Sequence, residues 1–295
     1  MIRLGIVGAE NTHTAAIARI FNVQQAVKGV QVVAVWGETD ALARKAAAEG
    51  KIPTVVKKPE EMIGSIDAVM IDHRHPKFHL PAAEPFLAAK LPLFIDKPFC
   101  YRLAEGRAFL ARARRLGVPV TSFSVIPEQA SFKKFQAQLA KSGPVQTLVT
   151  TGPCDIHSPY GGVFFYGIHQ VGAILKLVGF DVRTAQVHAF KNSDRHTATL
   201  EMADGLVVTL NLVKGFAGGF HFLAACEKGI LSHLHEMDPD PYLAGARKFA
   251  AMFKTGTEPE PHDQILAVVA VLEAMEASIK SGKRERILVG KGRNG

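Results

Sequence analysis

The order of apolar and polar positions gives the chain two patterns, which meet near residue 123. Over residues 1–123, short continuous apolar runs alternate with stretches whose apolar residues recur at helical spacing. Continuous apolar strands separated by helices are typical of βαβ units and a doubly wound parallel sheet. The expected strands are Ile2 to Val7, Val30 to Val35, Ala68 to Ile71, Leu93 to Ile95 and Val118 to Phe123, and the expected helices are Thr14 to Val27, Asp40 to Glu49, Leu80 to Lys90 and Leu103 to Leu116.

After Phe123 the pattern changes, because apolar runs follow one another without helices between them. The turn Ala203-Asp204-Gly205 between two such runs indicates a hairpin. This half predicts an α+β domain with a largely antiparallel open sheet and helices on one face. Its expected helices are Gln129 to Lys141, Gly162 to Val178, Pro241 to Lys254 and Asp263 to Lys280, and its expected strands are Val145 to Thr151, Val182 to Phe190, Thr197 to Met202, Leu206 to Leu212, Phe220 to Cys226 and Ile230 to His235.

The length of the chain agrees with this division, since 295 residues suit two domains better than one core. We therefore expect one domain over residues 1–123 and a second over residues 124–295. No apolar run reaches the roughly 18 residues of a membrane span, and the N-terminus has no long apolar signal segment. Three widely spaced cysteines predict neither a disulfide framework nor a thiolate metal site. A cytoplasmic setting is the simplest expectation.

The net charge of +8 suits either a nucleic acid or a small anion as partner. The basic stretch Arg107 to Arg115 alternates with apolar residues at helical spacing, which is typical of a solvated helix face. The other basic stretch, Lys283 to Arg293, lies at the chain terminus. Neither is interleaved with aromatic residues as a single-strand-binding surface would be, so we expect no nucleic-acid partner.

The first predicted strand leads through a glycine turn into a helix, as in a dinucleotide-binding domain of the Rossmann type. There the fingerprint G-x-G-x-x-G lets the backbone approach the pyrophosphate at the helix N-terminus. Gly8 fills the first glycine position, but Glu10 and His13 replace the second and third. The turn is thus either a phosphate site or a plain strand-to-helix connection. The cofactor-binding candidates in it are Gly8, Glu10, Asn11, Thr12 and His13.

A second cofactor candidate is Glu38, which follows the second predicted strand. An acidic residue about 20 to 25 positions after the glycine turn usually binds the adenosine ribose hydroxyls. Arg44 comes only later, inside the next helix. This arrangement favours NAD over NADP, although a solvated loop carboxylate is the alternative.

The segment Leu93 to Pro98 ends a strand in a carboxylate, a lysine and a proline. Ligands in open α/β sheets bind outside the carboxyl ends of the strands, so we expect Lys97 to point into the cofactor cleft. Pro98 fixes the turn and is a candidate for a cis peptide bond that aims the lysine.

Four short motifs in the same order resemble the glucose–fructose oxidoreductase, inositol dehydrogenase and rhizopine-catabolism (Gfo/Idh/MocA) family over nearly the whole chain. They are Asp96-Lys97-Pro98, the loop from Arg74 through His75 to His79, Gly167-Ile168-His169 and Glu227-Lys228-Gly229-Ile230-Leu231.

The resemblance implies that hydride moves between nicotinamide and a substrate carbon while the protein handles the proton. Lys97 would lie beside the nicotinamide ribose and the reacting carbinol. His169 would hydrogen-bond the substrate hydroxyl. His75 and Pro98 join the cofactor-binding candidates.

The chain departs from the sugar-oxidising pattern in the helix that carries His169. Relatives carry carboxylates there where this sequence has Phe165 and Gly172. His169 then acts alone on a divergent substrate, or Tyr166, His157 or Asp155 substitutes, or the chain has kept binding and lost redox chemistry. Tyr166 is accordingly a third catalytic candidate beside Lys97 and His169.

The loop from Cys154 to Gly162 is polar, turn-rich and aromatic, as functional loops often are. We expect it to line the substrate pocket, with Asp155, His157 and Tyr160 joining His169 as substrate candidates. An ordinary helix-entry loop is the alternative.

Histidine clusters raise the question of a metal. His73, His75 and His79 share one loop with Asp72, and His233 and His235 share one strand face. A catalytic zinc site usually needs three protein ligands on rigid elements, and this spacing is a weak match, so we expect no metal.

The sequence as a whole predicts an NAD- or NADP-dependent oxidoreductase acting on a small sugar-like, polyol or related hydroxy or keto compound. One alternative is a dinucleotide-binding regulator or scaffold without turnover, and another is a hydrolase or lyase that uses His157 or His169. A homodimer or homotetramer is expected from the resemblance, through the exposed face of the second-domain sheet.

Overall fold

The computed structural model describes residues 1–287, which divide into two compact units. The first unit comprises residues 1–100, 104–123 and 240–262; the second comprises 101–103, 124–239 and the described residues from 263 onward. Residues 240–262 therefore pack with the first unit, although they follow most of the second unit in the chain. The predicted division into domains of residues 1–123 and 124–295 stays a prediction.

A six-stranded parallel sheet forms the centre of the first unit, with strand order β3-β2-β1-β4-β5-β6. This is the Rossmann strand order, in which the chain runs outward from β1 to β3 and then crosses to β4 on the other side of β1. The strands are β1 (Ile2–Val7), β2 (Val30–Trp36), β3 (Thr54–Val55), β4 (Ala68–Ile71), β5 (Leu93–Ile95) and β6 (Val120–Thr121).

Helices connect these strands, as the alternation of patterns predicted. They are α1 (Thr12–Ala18), α2 (Asp40–Gly50), α3 (His79–Ala88) and α4 (Leu103–Leu116). The helix expected over Thr14 to Val27 is wrong at its C-terminal end: α1 stops at Ala18, widens into a π-turn over Arg19–Val23 and ends there. The short strand β3 was not expected, since its two residues carry no pattern.

Residues 240–262 belong to the first unit because their helix fills its core. The helix packs Phe249 against Phe94, with ring centroids 4.5 Å apart, and against Phe21 at 5.9 Å. Phe94 lies on β5, so the helix packs against the face of the parallel sheet to which Phe94 points. Burying such aromatic surface stabilises the unit by a few kcal/mol for each ring.

The second unit is built on a seven-stranded sheet with order β12-β11-β7-β10-β9-β8-β13. Neighbouring strands are antiparallel except for the parallel pair β7 and β10, so the sheet is largely antiparallel, as predicted. The strands are β7 (Val145–Pro153), β8 (Val182–His188), β9 (Arg195–Met202), β10 (Val207–Val213), β11 (His221–Cys226), β12 (Gly229–Leu234) and β13 (Glu285–Arg286).

Burial alternates along the strands of this sheet, because one face packs against apolar helix residues and the other does not. The second unit holds α5 (Ala130–Leu139), α6 (Val163–Val178) and nearly all of α8 (His262–Ser281), while α7 (Leu243–Thr255) is the aromatic-packed helix of the first unit. None of the helices in the described chain combines the length and apolar character that a membrane crossing requires.

Candidate functional site

The three central strands of the parallel sheet, β1, β4 and β5, end side by side at one edge. Each is followed at once by a residue of the candidate site, namely Gly8, Asp72 and Asp96. The strand pairing continues into this edge, since Asp72 N donates to Val7 O at 2.7 Å and Asp96 N to Ile71 O at 2.8 Å. The topology therefore gathers a glycine turn and two carboxylates where ligands of such sheets bind.

Gly8 meets a requirement that only glycine satisfies. Its φ is +112°, and a Cβ added there would lie 2.7 to 2.9 Å from backbone atoms of Asp72 and His73. Backbone from the loop after β4 thus rests directly on the turn. This first glycine of the fingerprint is kept for a steric reason that the structure makes explicit.

The Asp96 carboxylate is buried yet surrounded by donors and positive charge. His13 Nδ1 lies 3.2 Å from it, Asn11 Nδ2 lies 3.1 Å from Oδ2, and Lys97 Nζ lies 3.7 Å from Oδ2. Burial acts to raise the pKa of Asp96, but the charges of His13 and Lys97 outweigh it and hold the pKa below its usual range. Asp96 is therefore an ionised carboxylate.

Asp72 has the opposite character. Burial, followed by the charge of Asp96, raises its pKa well above the usual carboxyl value. The geometry agrees: Thr14 Oγ1 lies in hydrogen-bond contact with both Gly8 O and Asp72 Oδ2, but a hydroxyl carries one hydrogen. A protonated Asp72 that donates to Thr14, with Thr14 donating to Gly8 O, satisfies both contacts.

Lys97 follows Asp96 at the end of β5 and is itself 8% exposed. The Lys97–Pro98 peptide bond is cis, as the sequence allowed. The structure thus brings Lys97 and Pro98 to the same sheet edge as the glycine turn. The role assigned to Lys97 from the resemblance remains a prediction.

Glu38 closes the turn from the β2 side. Its Oε2 accepts hydrogen bonds from Ala9 N at 2.9 Å and Glu10 N at 2.8 Å. Its Oε1 is buried, and among the described residues it has no hydrogen-bond partner. A buried carboxylate oxygen without a donor is costly, and a ribose hydroxyl of a dinucleotide would supply such a donor. Together with the cradle at Gly8, this fits a dinucleotide.

The remaining turn residues lie around this cradle. Glu10 is 4.0 Å from Arg74 Nη1, Thr12 begins α1, and Asn11 and His13 reach Asp96. His75 caps the short 3₁₀ turn Pro76–Phe78 by accepting from Lys77 N at 3.2 Å. The cofactor candidates thus share one sheet edge.

The loop that carries His73, His75 and His79 was considered above as a metal site. In the structure, His79 of this loop contacts backbone carbonyls. His79 Nδ1 lies 2.9 Å from Pro98 O and Nε2 lies 2.7 Å from His73 O, so both nitrogens face backbone carbonyls. Burial lowers the pKa of His73 to about 4, and its Nδ1 is buried with no hydrogen-bond partner in the described chain. These contacts leave His79 as a structural tie between two loops.

Another trio, His13, Asp72 and Asp96, does bring its ligand atoms within 4.8 Å of one another, and sequence spacing gave no hint of it. A cation at this point would compete with Asn11 Nδ2, which already lies 3.1 Å from both carboxylates, and with the nearby Lys97. The donor set therefore fits hydrogen bonding better than metal coordination.

In the second unit, His169 lies on α6 and is 8% exposed. Its Nδ1 is 2.8 Å from Ser124 Oγ, and its ring contacts Tyr166 and Phe220, each with centroids 5.6 Å apart. Ser124 Oγ also accepts from Ile126 N at 3.3 Å. The hydroxyl can either donate to Nδ1 or accept from it, and the tautomer of His169 decides between the two.

The substrate-loop candidates of the second unit lie before α6. Asp155 Oδ1 accepts from His157 N at 2.8 Å, and Asp155 Oδ2 pairs with Lys214 Nζ at 3.3 Å. The rings of Tyr160 and Phe165 are 5.0 Å apart. Tyr166 is thus the sequence candidate that touches His169, while Asp155 forms an ion pair that the sequence did not indicate.

Three residues of these networks escaped sequence reasoning: Asp72, Thr14 and Ser124. Asp72 was noted only as weak support for a metal, and the two hydroxyl residues were not singled out. The available signal for Asp72 was its position, because it follows β4 as Asp96 follows β5. Ser124 carries no such signal, since its partner His169 is 45 residues away in the chain.

Comparison with known proteins gives a family match over the first unit. Residues 2–124 match the model GFO_IDH_MocA, described as an oxidoreductase family with an NAD-binding Rossmann fold. No curated protein matches the chain.

Solved structures extend the similarity of fold to nearly the whole chain. A probable dehydrogenase from Thermotoga maritima is 15% identical with a TM-score of 0.83, over 97% of this chain and 99% of that one. Scyllo-inositol dehydrogenase from Lactobacillus casei with bound NAD(H) and scyllo-inositol is 15% identical with a TM-score of 0.84, over 97% and 99%. A putative myo-inositol dehydrogenase from Sinorhizobium meliloti 1021 is 18% identical with a TM-score of 0.82, over 98% and 100%.

Proposed function

We propose that the chain is a dehydrogenase or reductase of a small polyhydroxylated compound, because residues 2–124 match the model of the Gfo/Idh/MocA oxidoreductase family with its NAD-binding Rossmann fold. The observation that carries this proposal is the sheet edge where Gly8, Glu38 and the buried pair Asp96–Lys97 meet. These residues combine a dinucleotide cradle with a lysine that can handle a proton.

The cofactor in this proposal is NAD(H) rather than NADP(H). When bound, nicotinamide accepts or supplies the hydride. Glu38 Oε1 would accept from a ribose hydroxyl, and its negative charge would repel a 2′-phosphate. Glu38→Gln should therefore raise NADPH affinity relative to NADH by about tenfold, the effect of removing one charge a few ångströms from a phosphate. Thermal unfolding with each nucleotide measures the ratio, and an unchanged ratio would remove Glu38 from cofactor selection.

Lys97 is proposed to exchange the proton of the substrate hydroxyl. Asp96 supports it as an ionised, buried neighbour whose Oδ2 is 3.7 Å from Lys97 Nζ. A buried carboxylate beside the lysine holds the ammonium group in place at the sheet edge.

His169 is the candidate proton-handling group of the second unit, as the sequence predicted. A carboxylate partner would require the proton on Nδ1 and would stabilise an imidazolium. Here a serine hydroxyl lies 2.8 Å from Nδ1, and in the tautomer in which Ser124 donates to Nδ1, His169 would offer Nε2–H as a hydrogen-bond donor to substrate oxygen. This favours binding of a carbonyl or hydroxyl oxygen over full proton abstraction by His169.

The proposed substrate is a cyclitol or sugar-like compound, or a related hydroxy or keto acid. One structural neighbour was solved with scyllo-inositol, and another with myo-inositol. The loop holding Asp155, His157 and Tyr160 offers a carboxylate, an imidazole and a phenol, which suit hydroxyl-rich ligands.

The second candidate is a dinucleotide-binding regulator or scaffold without turnover. It is favoured by the engagement of the Ala9 and Glu10 amides by Glu38, and by Phe165 and Gly172 standing where relatives carry carboxylates. The two candidates share cofactor binding and differ only in whether hydride reaches a substrate.

A deuterium-transfer experiment separates them. NADH carrying deuterium at C4 is incubated with protein and a panel of inososes, ketoses and keto acids, and the products are analysed by mass spectrometry. Deuterium at a product carbinol carbon supports the dehydrogenase. Binding of NADH without transfer to any member of the panel supports the scaffold.

A homo-oligomer is also proposed, formed through the outer face of the second-unit sheet. Four large apolar side chains on this sheet are strongly exposed, Ile230 at 72%, Leu234 at 58%, Val207 at 47% and Leu223 at 39%. Apolar surface of this kind is typical of protein contacts. Light scattering on purified protein tests it, and a monomer at micromolar concentration would contradict it.

A further inference from the structure

Two side chains of the glycine turn point away from a phosphate role and toward the end of β5. Asn11 and His13 stand in the fingerprint region where glycines would leave space, and His13 occupies the third glycine position itself. Both contact the Asp96 carboxylate, 85 and 83 residues further along the chain. A turn built only from glycines could not make these contacts.

The number of available hydrogens limits which groups in this cluster donate and which accept. Asn11 Nδ2 carries two hydrogens and has three neighbours within 3.2 Å: Asp72 Oδ1, Asp96 Oδ2 and His13 Nδ1. If its hydrogens go to the two carboxylates, His13 Nδ1 must carry its own hydrogen and donate it to Asp96. Every donor then has an acceptor, with Asp96 accepting from both turn residues.

Asp96 needs these donors because it is nearly inaccessible to water. An ionised carboxylate that is 4% exposed loses its hydration and requires hydrogen bonds and charge in compensation. Asn11 and His13 supply two hydrogen bonds, and Lys97 supplies the charge at 3.7 Å. The turn side chains therefore determine where the carboxylate stands, and Lys97 is aligned against that carboxylate.

The groups facing His13 are few. Asp96 and Asp72 lie at 3.2 and 3.8 Å from its Nδ1, and the Tyr242 ring stacks obliquely with its centroid 4.9 Å from the imidazole. The ring is thus held between a carboxylate pair on one side and an aromatic ring on the other. This fixes its orientation toward Asp96.

We propose that Asn11 and His13 are positioning residues that hold Asp96, and through it Lys97, in the geometry for proton exchange with substrate. The proposal rests on the proposed function of Lys97. On this account His13, at the third glycine position, and Asn11 beside it replace open space at the turn with two side chains that hold the Asp96-Lys97-Pro98 segment.

The test that needs no substrate is the acylation rate of Lys97, followed by mass spectrometry with a small amine-reactive ester at fixed pH. In the wild type we expect Lys97 to react slowly, because it is buried beside Asp96. In His13→Ala, Asp96 lacks a donor, water enters, and Lys97 should react about tenfold faster, the size of losing one hydrogen bond to a charged group.

The variant His13→Asn separates the effect of the hydrogen-bond donor from the effect of side-chain size. In His13→Asn the amide nitrogen stands near the position of Nδ1 and can donate to Asp96, so slow acylation should return. Asn11→Ala provides a second route, since Asn11 makes no capping hydrogen bond to α1 and its loss leaves the helix start intact. The exposed His188→Asn is the matched control, and Lys141, also exposed, is the internal reference for reagent reactivity.

Acylation of Lys97 at the wild-type rate in folded His13→Ala or Asn11→Ala protein would overturn the proposal. Equal, fast acylation in His13→Ala and His13→Asn would overturn it as well, because bulk rather than the donor would then matter. Circular dichroism establishes folding, and Asn11→Ala decides the outcome if His13→Ala does not fold.

Turnover provides the functional readout once a substrate is found. We expect kcat to fall about tenfold in His13→Ala, more than the Kd for NADH changes, and to recover in His13→Asn. Absence of nicotinamide binding in the wild type would remove the proposed function, while the acylation series would still decide whether the clamp exists. The two failures are therefore distinguishable.

Discussion

The two units of this chain surround their candidate residues in different ways. In the first unit, Asn11 and His13 of the glycine turn join a dense buried network around Asp96. In the second, His169 contacts a hydroxyl and aromatic rings. The first arrangement contains charge-assisted contacts, whereas the second is built from a hydroxyl and aromatic rings.

This difference supports a proposal about which unit carries the chemistry. A buried ion network fixes the geometry of the charged groups within it, whereas a histidine beside a serine hydroxyl suits binding and orientation. We therefore propose proton exchange for Lys97 and a hydrogen-bonding role for His169, and variants in each unit can break or sharpen this comparison.

The largest effect is expected from removing Lys97. Lys97→Ala should lower kcat by roughly 10²- to 10⁴-fold, the usual contribution of a positioned acid or base. Lys97→Met, which keeps the apolar stem, should lose as much, and the exposed Lys141→Met should lose nothing. Steady-state kinetics with NADH and the substrate from the deuterium screen measures this. Turnover within a few-fold of wild type in both Lys97 variants would mean that another residue exchanges the proton.

The next effect concerns the cradle at Gly8. Gly8→Ala adds a Cβ at 2.7 Å from the Asp72 carbonyl carbon while keeping a φ of +112°. We expect a loss of unfolding free energy above about 2 kcal/mol, from strain and contact together, and loss of NADH binding.

Gly117→Ala is the matched control, because Gly117 has φ +67° and open space within 4 Å. It should cost about 1 kcal/mol and leave nucleotide binding intact. Chemical denaturation and nucleotide titration of both variants give the comparison. Equal costs would mean that the close contact at Gly8 has no influence.

A smaller effect is expected in the second unit. Ser124→Ala removes the hydroxyl at Nδ1 of His169 and should lower kcat/KM by about tenfold, typical of losing one hydrogen bond at a catalytic group. Ser142→Ala, which also removes a hydroxyl from the second unit, is the control. A loss as large as that of Lys97→Ala would reverse the assignment of roles between the units.

The smallest effect concerns Asp72. Its pKa is raised by burial and by Asp96, so the folded state keeps a proton that the unfolded chain releases. Stability should therefore fall as pH rises from the ordinary carboxyl range toward the raised pKa. Asp72→Asn cannot titrate and can still donate to Thr14, so it should remove this slope.

At neutral pH we expect Asp72→Asn to differ from the wild type by no more than about 1 kcal/mol, since it mimics the protonated acid. Urea unfolding at several pH values above about 5, where ordinary carboxyl groups are ionised, measures both quantities. A cost of several kcal/mol with an unchanged slope would mean that Asp72 is ionised in the fold.

Much of the fold was accessible from the sequence because its signals are local. Apolar runs such as Ile2 to Val7 and the helical spacing after Leu103 mark elements of the parallel sheet directly. The return of α7 to the first unit was not accessible, since the contact of Phe249 with Phe94 joins residues 155 positions apart. Short elements such as β3 and β13 have too few residues to carry a period.

The site was accessible only in part for the same reason. Lys97 and Pro98 were found because a strand end followed by charge and proline is a local signal. The link from His13 to Asp96 is not local, and the sequence marked His13 as an obstacle to phosphate binding rather than as a partner of Asp96. Contacts between side chains at the ends of different strands depend on the order of the strands in the sheet. A single sequence predicts that order only coarsely.

The most direct test of the central claim is thermal unfolding of the purified chain with NAD⁺, NADH, NADP⁺ and NADPH in turn. A nucleotide at about 100 times its Kd adds roughly 2.7 kcal/mol to stability. We expect clear stabilisation by NAD⁺ and NADH and little by the phosphorylated pair. No shift with any of the four would mean that Glu10, His13 and the Glu38 carboxylate close the turn to a dinucleotide, and the dehydrogenase proposal would fall.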